Sequence, residues 1–278
     1  MGLEKRTIKI IVLVAVVVLV IGGIIGLLLG LLLPHRYVAL EVWPRSEETT
    51  WEQPLIHIKS GDPGSWHRWF QRINDFLREY ENQMPESPPR APCSTQNRRD
   101  AQVRSDMCEI AMTVWRPCTA DFFYGYDKGK PCIFLRLSHI HYWVPQPYNV
   151  TSSLAIPPDM PEHIRRAMEM RPAREFGDFI WVSCDGELDS DKENLGPVQY
   201  IPAELLPGFP TSRLHTADRI PYATRNLPDQ VPPPLVAVYF ENPRRGVLIN
   251  VECRIWSRDI HYDPSSRSGR ARFELLIE

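Results

Sequence analysis

The longest hydrophobic stretch of the chain runs from Ile10 to Leu33 and contains no charged residue. As an α-helix it would extend about 36 Å, which exceeds the roughly 30 Å hydrocarbon core of a bilayer. The stretch is longer than the hydrophobic region of a cleavable signal peptide, and three basic residues precede it: Lys5, Arg6 and Lys9. The pattern therefore predicts a retained signal-anchor, with residues 1–9 in the cytoplasm, 10–33 in the membrane, a connector at 34–60 and an extracellular domain at 61–278.

A second helical pattern follows the sequence Asp62-Pro63-Gly64-Ser65. Asp62 is suited to cap a helix that begins at Pro63, because its carboxylate accepts hydrogen bonds from the first turn and proline needs no such partner. Apolar residues then recur every three or four positions on one face: Trp66, Trp69, Phe70, Ile73, Phe76, Leu77 and Tyr80. We interpret this face as packed against the chain's own domain; a stalk that contacts a partner protein is the alternative.

The pattern after residue 110 is typical of β-structure. Short segments rich in β-branched or aromatic residues are bounded by Pro, Gly or Asp: 133–137, 179–184, 235–240, 247–256 and 273–277. Alternation places Val251 and Cys253 on one face and Glu252 on the other, so Cys253 faces a core. Cys184 lies on the apolar face of its own segment in the same way. A Cys184–Cys253 disulfide can therefore join the two inner faces of a β-sandwich.

Composition limits the functions of this mainly-β domain. The formal net charge of −2 at pH 7 offers no basic surface for nucleic acid. All cysteines follow the predicted anchor and none forms a Cys-x-x-Cys pair, which favours disulfides over a zinc ribbon and leaves 15 pairings open by counting: Cys93, Cys108, Cys118, Cys132, Cys184 and Cys253. Asn149 begins the one Asn-x-Ser/Thr sequence and is the predicted glycosylation site.

Two motifs resemble sites for bound groups but lack a required part. The stretch from Gly125 to Lys130 is one residue too short for a phosphate-binding loop, and Pro131 occupies the position of the magnesium-binding hydroxyl. His139 and His141 lie on one face of a predicted strand, but no third metal ligand is near them in the sequence. We interpret the first as a turn and the second as a half-exposed strand.

Asp189 and Asp191 form an Asp-x-Asp triplet of the kind that holds a metal–nucleotide sugar in type II glycosyltransferases. They lie in a polar run that is typical of a solvated loop, and the chain lacks the alternating strand–helix pattern of such enzymes. We therefore expect no catalytic residue, no bound metal and no cofactor.

Several segments, taken in order, carry a family resemblance: Asp62-Pro-Gly-Ser-Trp66, Phe123-Tyr-Gly-Tyr-Asp-Lys-Gly-Lys-Pro-Cys132, Val182-Ser-Cys-Asp-Gly186, Pro234-Leu-Val-Ala-Val-Tyr-Phe240, and Val251-Glu-Cys253 with Asp259-Ile-His-Tyr262. Together they resemble the β subunit of the sodium/potassium-transporting ATPase and its proton/potassium relative. The resemblance extends from the anchor to the C-terminus.

This resemblance implies a fold, a location and partners. The fold is an immunoglobulin-like β-sandwich with one or two helices, and the chain is a non-catalytic glycoprotein of the plasma membrane. It would stabilise and traffic the ion-pumping α subunit of a P-type ATPase and modulate ion transport, with the lipid bilayer and a third, small regulatory subunit as further partners. The implied disulfides are Cys93–Cys108, Cys118–Cys132 and Cys184–Cys253.

The chain also departs from this family. Its cytoplasmic segment is short, it has one glycosylation sequence, and it lacks the aromatic residues that usually occur in the membrane helix. The family's Pro-Tyr-Tyr-Gly segment here reads Pro221-Tyr222-Ala223-Thr224. These differences favour a divergent, invertebrate-like member. The alternatives are an orphan adhesion or junction glycoprotein without a pump partner and, less favoured, a type II glycosyltransferase.

A stripe of small residues is the remaining candidate for contact within the membrane. Gly22, Gly26 and Gly30 are spaced by four, so they lie nearly on one face of the predicted anchor, where a neighbouring helix can approach closely. We predict that these glycines, together with Tyr222 outside the membrane, bind the partner.

Overall fold

The structure is a computed structural model that describes residues 16, 18, 19, 22, 23, 38–45, 54–82, 115–138, 140, 143–148, 156–170, 179–201, 207–214, 234–260 and 268–278. The chain divides into two compact units, Met1–Arg36 and Tyr37–Glu278. The described residues of the first unit are helical. Most of the predicted anchor at 10–33 lies outside the described residues, and no described helix has the length and apolar character needed to cross a membrane.

The second unit is mainly β-structure. Its strands are β1 (Ala39–Trp43), β2 (Leu55–Ile58), β3 (Cys132–Ser138), β4 (Phe179–Gly186), β5 (Val198–Ile201), β6 (Gly208–Pro210), β7 (Leu235–Phe240), β8 (Leu248–Trp256) and β9 (Arg270–Ile277). Its helices are α1 (Pro63–Asn82), α2 (Glu162–Glu169), α3 (Asp189–Leu195) and α4 (Thr211–Leu214), and a 3-10 segment covers Ala120–Lys128.

The strands form two sheets. The four-stranded sheet has the order β1-β3-β7-β5, and the five-stranded sheet has the order β2-β9-β8-β4-β6. Neighbouring strands are antiparallel, except that β2 runs parallel to β9. The consecutive strands β3 and β4 lie in different sheets, so the chain between them crosses from one sheet to the other, whereas β8 and β9 pair within one sheet.

One hydrophobic core extends through both sheets. Leu135 and Val238 of the four-stranded sheet and Ile180 and Val251 of the five-stranded sheet are fully buried members of it. The ring centroids of Phe240 in β7 and Phe273 in β9 lie 6.1 Å apart and connect the two sheets directly. Burial of each large apolar side chain contributes about 1.5–3 kcal/mol, so this shared core holds the sheets together.

Helix α1 packs against its own domain, which confirms the favoured interpretation of its apolar face. The helix begins at Pro63 as predicted, and Asp62 Oδ1 accepts a hydrogen bond from the backbone N–H of Gly64 at 3.0 Å. Its buried side chains other than Tyr80 belong to the main core, and Phe76 stacks on Trp43 of β1 with ring centroids 4.4 Å apart. The indole N–H of Trp69 donates to the carbonyl oxygen of His57 in β2 at 2.9 Å.

The prediction that a Cys184–Cys253 disulfide joins two sheets is wrong. The disulfide forms, but β4 and β8 are neighbours in the five-stranded sheet, and Cys184 lies directly opposite Cys253 with Cα atoms 4.0 Å apart. Alternation correctly placed both cysteines on the inner face. However, the side of a strand that faces the core does not reveal which strand lies beside it.

Candidate functional site

A 3-10 segment closed by a disulfide carries the most unusual backbone of the described residues. Cys118 and Cys132 form a disulfide across a separation of 14 residues, with Cα atoms 5.7 Å apart. Between them, Phe123, Tyr124 and Gly125 adopt left-handed conformations in succession, with φ values of 47°, 50° and 76°. This conformation costs about 1–2 kcal/mol for each residue other than glycine, and such strain concentrates at functional sites.

The two strained aromatic side chains have opposite environments. Tyr124 is buried, its hydroxyl donates to Asn74 Oδ1 at 2.6 Å, and burial raises its pKa well above the usual range. Phe123 is 42% exposed, and its ring packs on Trp66 and Phe70 of α1 with centroid distances of 5.3 and 5.6 Å. Anchoring of Tyr124 therefore presents Phe123 at the surface in a fixed orientation.

Gly125 allows the chain to close this turn. A Cβ atom at Gly125 would lie 2.0 Å from the carbonyl oxygen of Lys130, so no larger residue fits without a shift of the backbone. The turn that the sequence predicts between Gly125 and Lys130 is therefore present. Gly125 is needed there because two parts of the main chain approach each other closely.

The Asp-x-Asp triplet is divided between two unrelated environments. Asp191 is 4% exposed, and its carboxylate accepts hydrogen bonds from the backbone N–H of Leu188 at 3.3 Å and of Asn250 at 3.3 Å. Asp189 is exposed and pairs with Lys192 at 3.0 Å. The predicted solvated loop is in fact helix α3, which Asp191 fastens to β8. Among the described residues, no three His, Cys, Asp or Glu side chains lie together as metal ligands would.

A buried acidic residue on the outer face of β8 was not singled out by the sequence. Glu252 is 7% exposed and lies among three arginines: Arg272 Nε donates at 2.7 Å, Arg254 Nε also donates, and Arg270 lies 3.7 Å away. Burial raises the pKa of Glu252, but the hydrogen bonds from Arg254 and Arg272 outweigh it and hold the pKa below its ordinary value. This site depends on the strand register, because Arg272 of β9 lies directly opposite Glu252 of β8.

The segment before the predicted glycosylation site is fixed to the five-stranded sheet. Pro147 forms a bridge with Ser257, just beyond β8, and the indole N–H of Trp181 donates to the carbonyl oxygen of Tyr148 at 3.1 Å. Asn149 itself lies outside the described residues, but its preceding neighbour is held by these contacts.

Other predicted positions also lie outside the described residues: Cys93, Cys108, His139, His141, Tyr222, Gly26 and Gly30. Of the glycine stripe, Gly22 is described; it is helical, and a Cβ atom added there would meet no heavy atom within 4 Å. The two disulfides that the structure describes have the pairings that the resemblance implies.

Comparison with known proteins supplies the class to which this disulfide-bonded, mainly-β domain belongs. A model of the family described as the sodium/potassium ATPase beta chain matches residues 37–274. The sodium/potassium-transporting ATPase subunit beta-2 of Drosophila melanogaster is 34% identical over 234 residues, which cover 82% of this chain and 67% of the relative.

Two further relatives agree. The Drosophila subunit beta-1 is 31% identical over 239 residues, which cover 84% of this chain and 69% of the relative. The human subunit beta-2 is 25% identical over 239 residues, with 80% of this chain and 67% of the relative covered. The chain therefore belongs to the family of sodium/potassium ATPase beta chains.

Proposed function

We propose that this chain is a non-catalytic β subunit that binds the α subunit of a sodium/potassium-transporting P-type ATPase, stabilises it and accompanies it to the plasma membrane. The observation that carries this proposal is the extent of the family match, which covers residues 37–274 and thus nearly the whole second unit. The relatives with the highest identity quoted above are named as beta subunits of that pump.

The geometry of the acidic triplet supports a role in binding over one in catalysis. The Asp191 carboxylate already accepts hydrogen bonds from Leu188, just before α3, and from Asn250 of β8, and Asp189 points to solvent beside Lys192. A metal–nucleotide site needs both carboxylates to converge on one ion. The enzyme alternative would therefore require α3 to be rebuilt.

We further propose a type II topology, with residues 1–9 in the cytoplasm, 10–33 in the bilayer and 34–278 outside the cell. The uninterrupted apolar stretch, the basic residues before it and the disulfides after it support this arrangement. The two sheets around one core support an immunoglobulin-like β-sandwich as the architecture of the extracellular domain. Asn149 would carry the glycan, and Cys93 would pair with Cys108.

Contact with the α subunit would occur both inside and outside the membrane. Gly22, Gly26 and Gly30 would let a helix of the α subunit approach the anchor closely, and Tyr222 would contribute outside the bilayer. A third, small regulatory subunit would join the same complex.

Co-expression tests this function. An α subunit of the same source, produced in cells without its own β subunit, should reach the cell surface only when this chain is present, as measured by surface biotinylation. The matched variant Asp189→Ala removes the exposed carboxylate of the triplet and leaves the buried Asp191 in place, so it should support delivery normally. Surface α subunit that is equal with and without the chain contradicts the proposal.

A further inference from the structure

Helix α2 covers a second apolar cluster, on the outer face of the five-stranded sheet. This satellite core is separate from the main core and consists of Met160, Ile164, Ala167, Met168, Phe179, Trp181 and Trp256. Phe179 and Trp181 alternate along β4 with Ile180, which belongs to the main core on the opposite face. The sheet therefore has an apolar patch on each side, and the outer patch is covered from above by α2 and the residues just before it.

The polar atoms of the aromatic patch are satisfied without α2. The indole N–H of Trp256 donates to Ser183 Oγ at 2.8 Å, and the indole N–H of Trp181 donates to the carbonyl oxygen of Tyr148 at 3.1 Å. Neither partner belongs to α2. These hydrogen bonds would thus survive removal of the helix, so no buried donor on these rings would be left unpaired.

The polar contacts of residues 156–170 lie mostly within that segment. Arg165 Nη2 donates to the carbonyl oxygens of Pro157 and Pro158 at 3.0 and 2.7 Å. The described backbone hydrogen bonds of this segment also have both partners inside it, such as that from Met170 to Arg166 at 3.0 Å. Movement of this segment away from the sheet would therefore leave no described backbone partner on the sheet unpaired.

Apart from the apolar packing, two side-chain contacts among the described residues attach this segment to the sheets directly, and the charge of Asp185 in β4 also acts on His163. Asp159 pairs with Arg254 of β8 at 3.2 Å, and Asp159 is 57% exposed, so solvent screens the pair. The His163 ring stacks on Tyr200 of β5 with centroids 5.5 Å apart.

Helix α1 is attached to the domain differently from α2. α1 has 20 residues, contributes Ile73 to the main core and receives hydrogen-bonded support from His57 and Tyr124. α2 has eight residues, and no side chain caps its N-terminus at Pro161. Helices this short are not stable alone in water, so α2 depends on the satellite core.

We propose that α2 is a lid that opens and closes over the five-stranded sheet while both sheets remain folded. Opening exposes the aromatic patch of Phe179, Trp181 and Trp256, and closing buries it. Proteins open in cooperative units, and a unit with a hydrophobic cluster of its own can open at lower free energy than the core to which it attaches. The separate cluster, the internal hydrogen bonds and the weak ion pair make α2 such a unit.

Native-state hydrogen exchange on the full chain in detergent, with its disulfides intact, tests the lid. Ile73→Val and Ile164→Val each remove one methylene group from a fully buried isoleucine. Ile73 belongs to α1 and Ile164 belongs to α2. Ile73→Val should accelerate exchange of the slowest β4 and β8 amides about two- to tenfold and leave the α2 amides unchanged. Ile164→Val should accelerate the α2 amides by a similar factor.

Two results would overturn the lid. If Ile73→Val accelerates α2 amides as much as sheet amides, α2 exchanges only when the whole domain unfolds. If Ile164→Val leaves α2 exchange unchanged, the satellite core does not hold the helix. Urea dependence in the unmodified chain is a second measurement that needs no variant: exchange of α2 amides should vary little at low urea, whereas exchange of β4 and β8 amides should rise steeply.

Discussion

The hydroxyl of Tyr200 pairs with the backbone of Cys184 at a position on β4 that the described residues of β6 do not reach. The backbone N–H of Cys184 donates to Tyr200 Oη at 2.8 Å, and the hydroxyl lies 3.5 Å from the Cys184 carbonyl oxygen. β6 pairs with β4 only at Phe179–Trp181, so Cys184 lies beyond its reach. Because Tyr200 belongs to the four-stranded sheet, one side chain connects the edges of the two sheets next to the Cys184–Cys253 disulfide.

Removal of that hydroxyl should destabilise the domain. Tyr200→Phe leaves the buried N–H of Cys184 unpaired, which should lower the free energy of unfolding by about 1–3 kcal/mol. Urea denaturation of the full chain in mild detergent, followed by tryptophan fluorescence, measures this change. Tyr239→Phe, on the neighbouring strand β7, is the control and should change stability by less than about 0.5 kcal/mol. Equal changes in the free energy of unfolding for the two variants would show that the hydrogen bond from Cys184 to the Tyr200 hydroxyl does not stabilise the domain.

Loss of the longer disulfide should be more harmful than loss of the shorter one. The Cys184–Cys253 bond spans 69 residues and the Cys118–Cys132 bond spans 14, so closing these loops contributes about 4.4 and about 3 kcal/mol respectively. Cys253→Ser should retain the protein in the endoplasmic reticulum, as judged by endoglycosidase H sensitivity. Cys118→Ser with Cys132→Ser should mature in part. Normal surface delivery of Cys253→Ser would contradict the expected order.

A pair of glycine substitutions separates backbone strain from steric conflict. Gly125 and Gly246 have similar φ values of 76° and 72°, but an added Cβ atom meets the Lys130 carbonyl oxygen at 2.0 Å only in Gly125 and nothing within 4 Å in Gly246. Gly246→Ala should cost about 1–2 kcal/mol, the penalty for the left-handed conformation. Gly125→Ala should cost more than about 3 kcal/mol and lower the thermal midpoint further. Equal midpoints would mean that the turn relaxes freely.

Acid should destabilise the domain partly through Glu252. Its pKa in the folded state lies below its ordinary value of 4.5, because arginine hydrogen bonds outweigh the effect of burial. The resulting stabilisation is fully present above the ordinary value and is lost as the pH falls through the lowered pKa. Glu252→Gln should cost about 3 kcal/mol at neutral pH and make unfolding less dependent on pH below about 4.5. The control Glu79→Gln, at an exposed position, should leave the pH dependence of unfolding unchanged. The same unchanged pH dependence for Glu252→Gln would show that Glu252 does not contribute to acid destabilisation.

Local patterns in the sequence predicted the regular parts of the fold. The cap at Asp62 and the apolar spacing from Trp66 to Tyr80 located α1, because a helix that buries one face needs that spacing whatever covers it. Alternation in β8 likewise placed Cys253 inside. These features depend on neighbours within a few residues, so they can be read without knowledge of the topology.

Features that depend on strand order could not be read in this way. The burial of Glu252 requires β9 to place Arg272 opposite it, and the role of Tyr200 requires the edge of one sheet to lie over the edge of the other. The Asp189–Leu195 helix was interpreted as a loop because its residues are polar, yet Asp191 is buried by a contact with Asn250, 59 residues away. In each case a distant partner determined the environment.

Affinity purification of the tagged chain from detergent extracts of its own cells tests whether the chain is bound to the α subunit of a P-type ATPase. A P-type ATPase α subunit of about a hundred kilodaltons should be recovered in roughly equal molar amount and identified by its peptides. Gly22→Leu with Gly26→Leu keeps the anchor apolar but blocks close packing, so it should insert normally and recover less α subunit. Recovery of the chain without any P-type ATPase, while its disulfides are intact and it is present at the cell surface, would contradict the account.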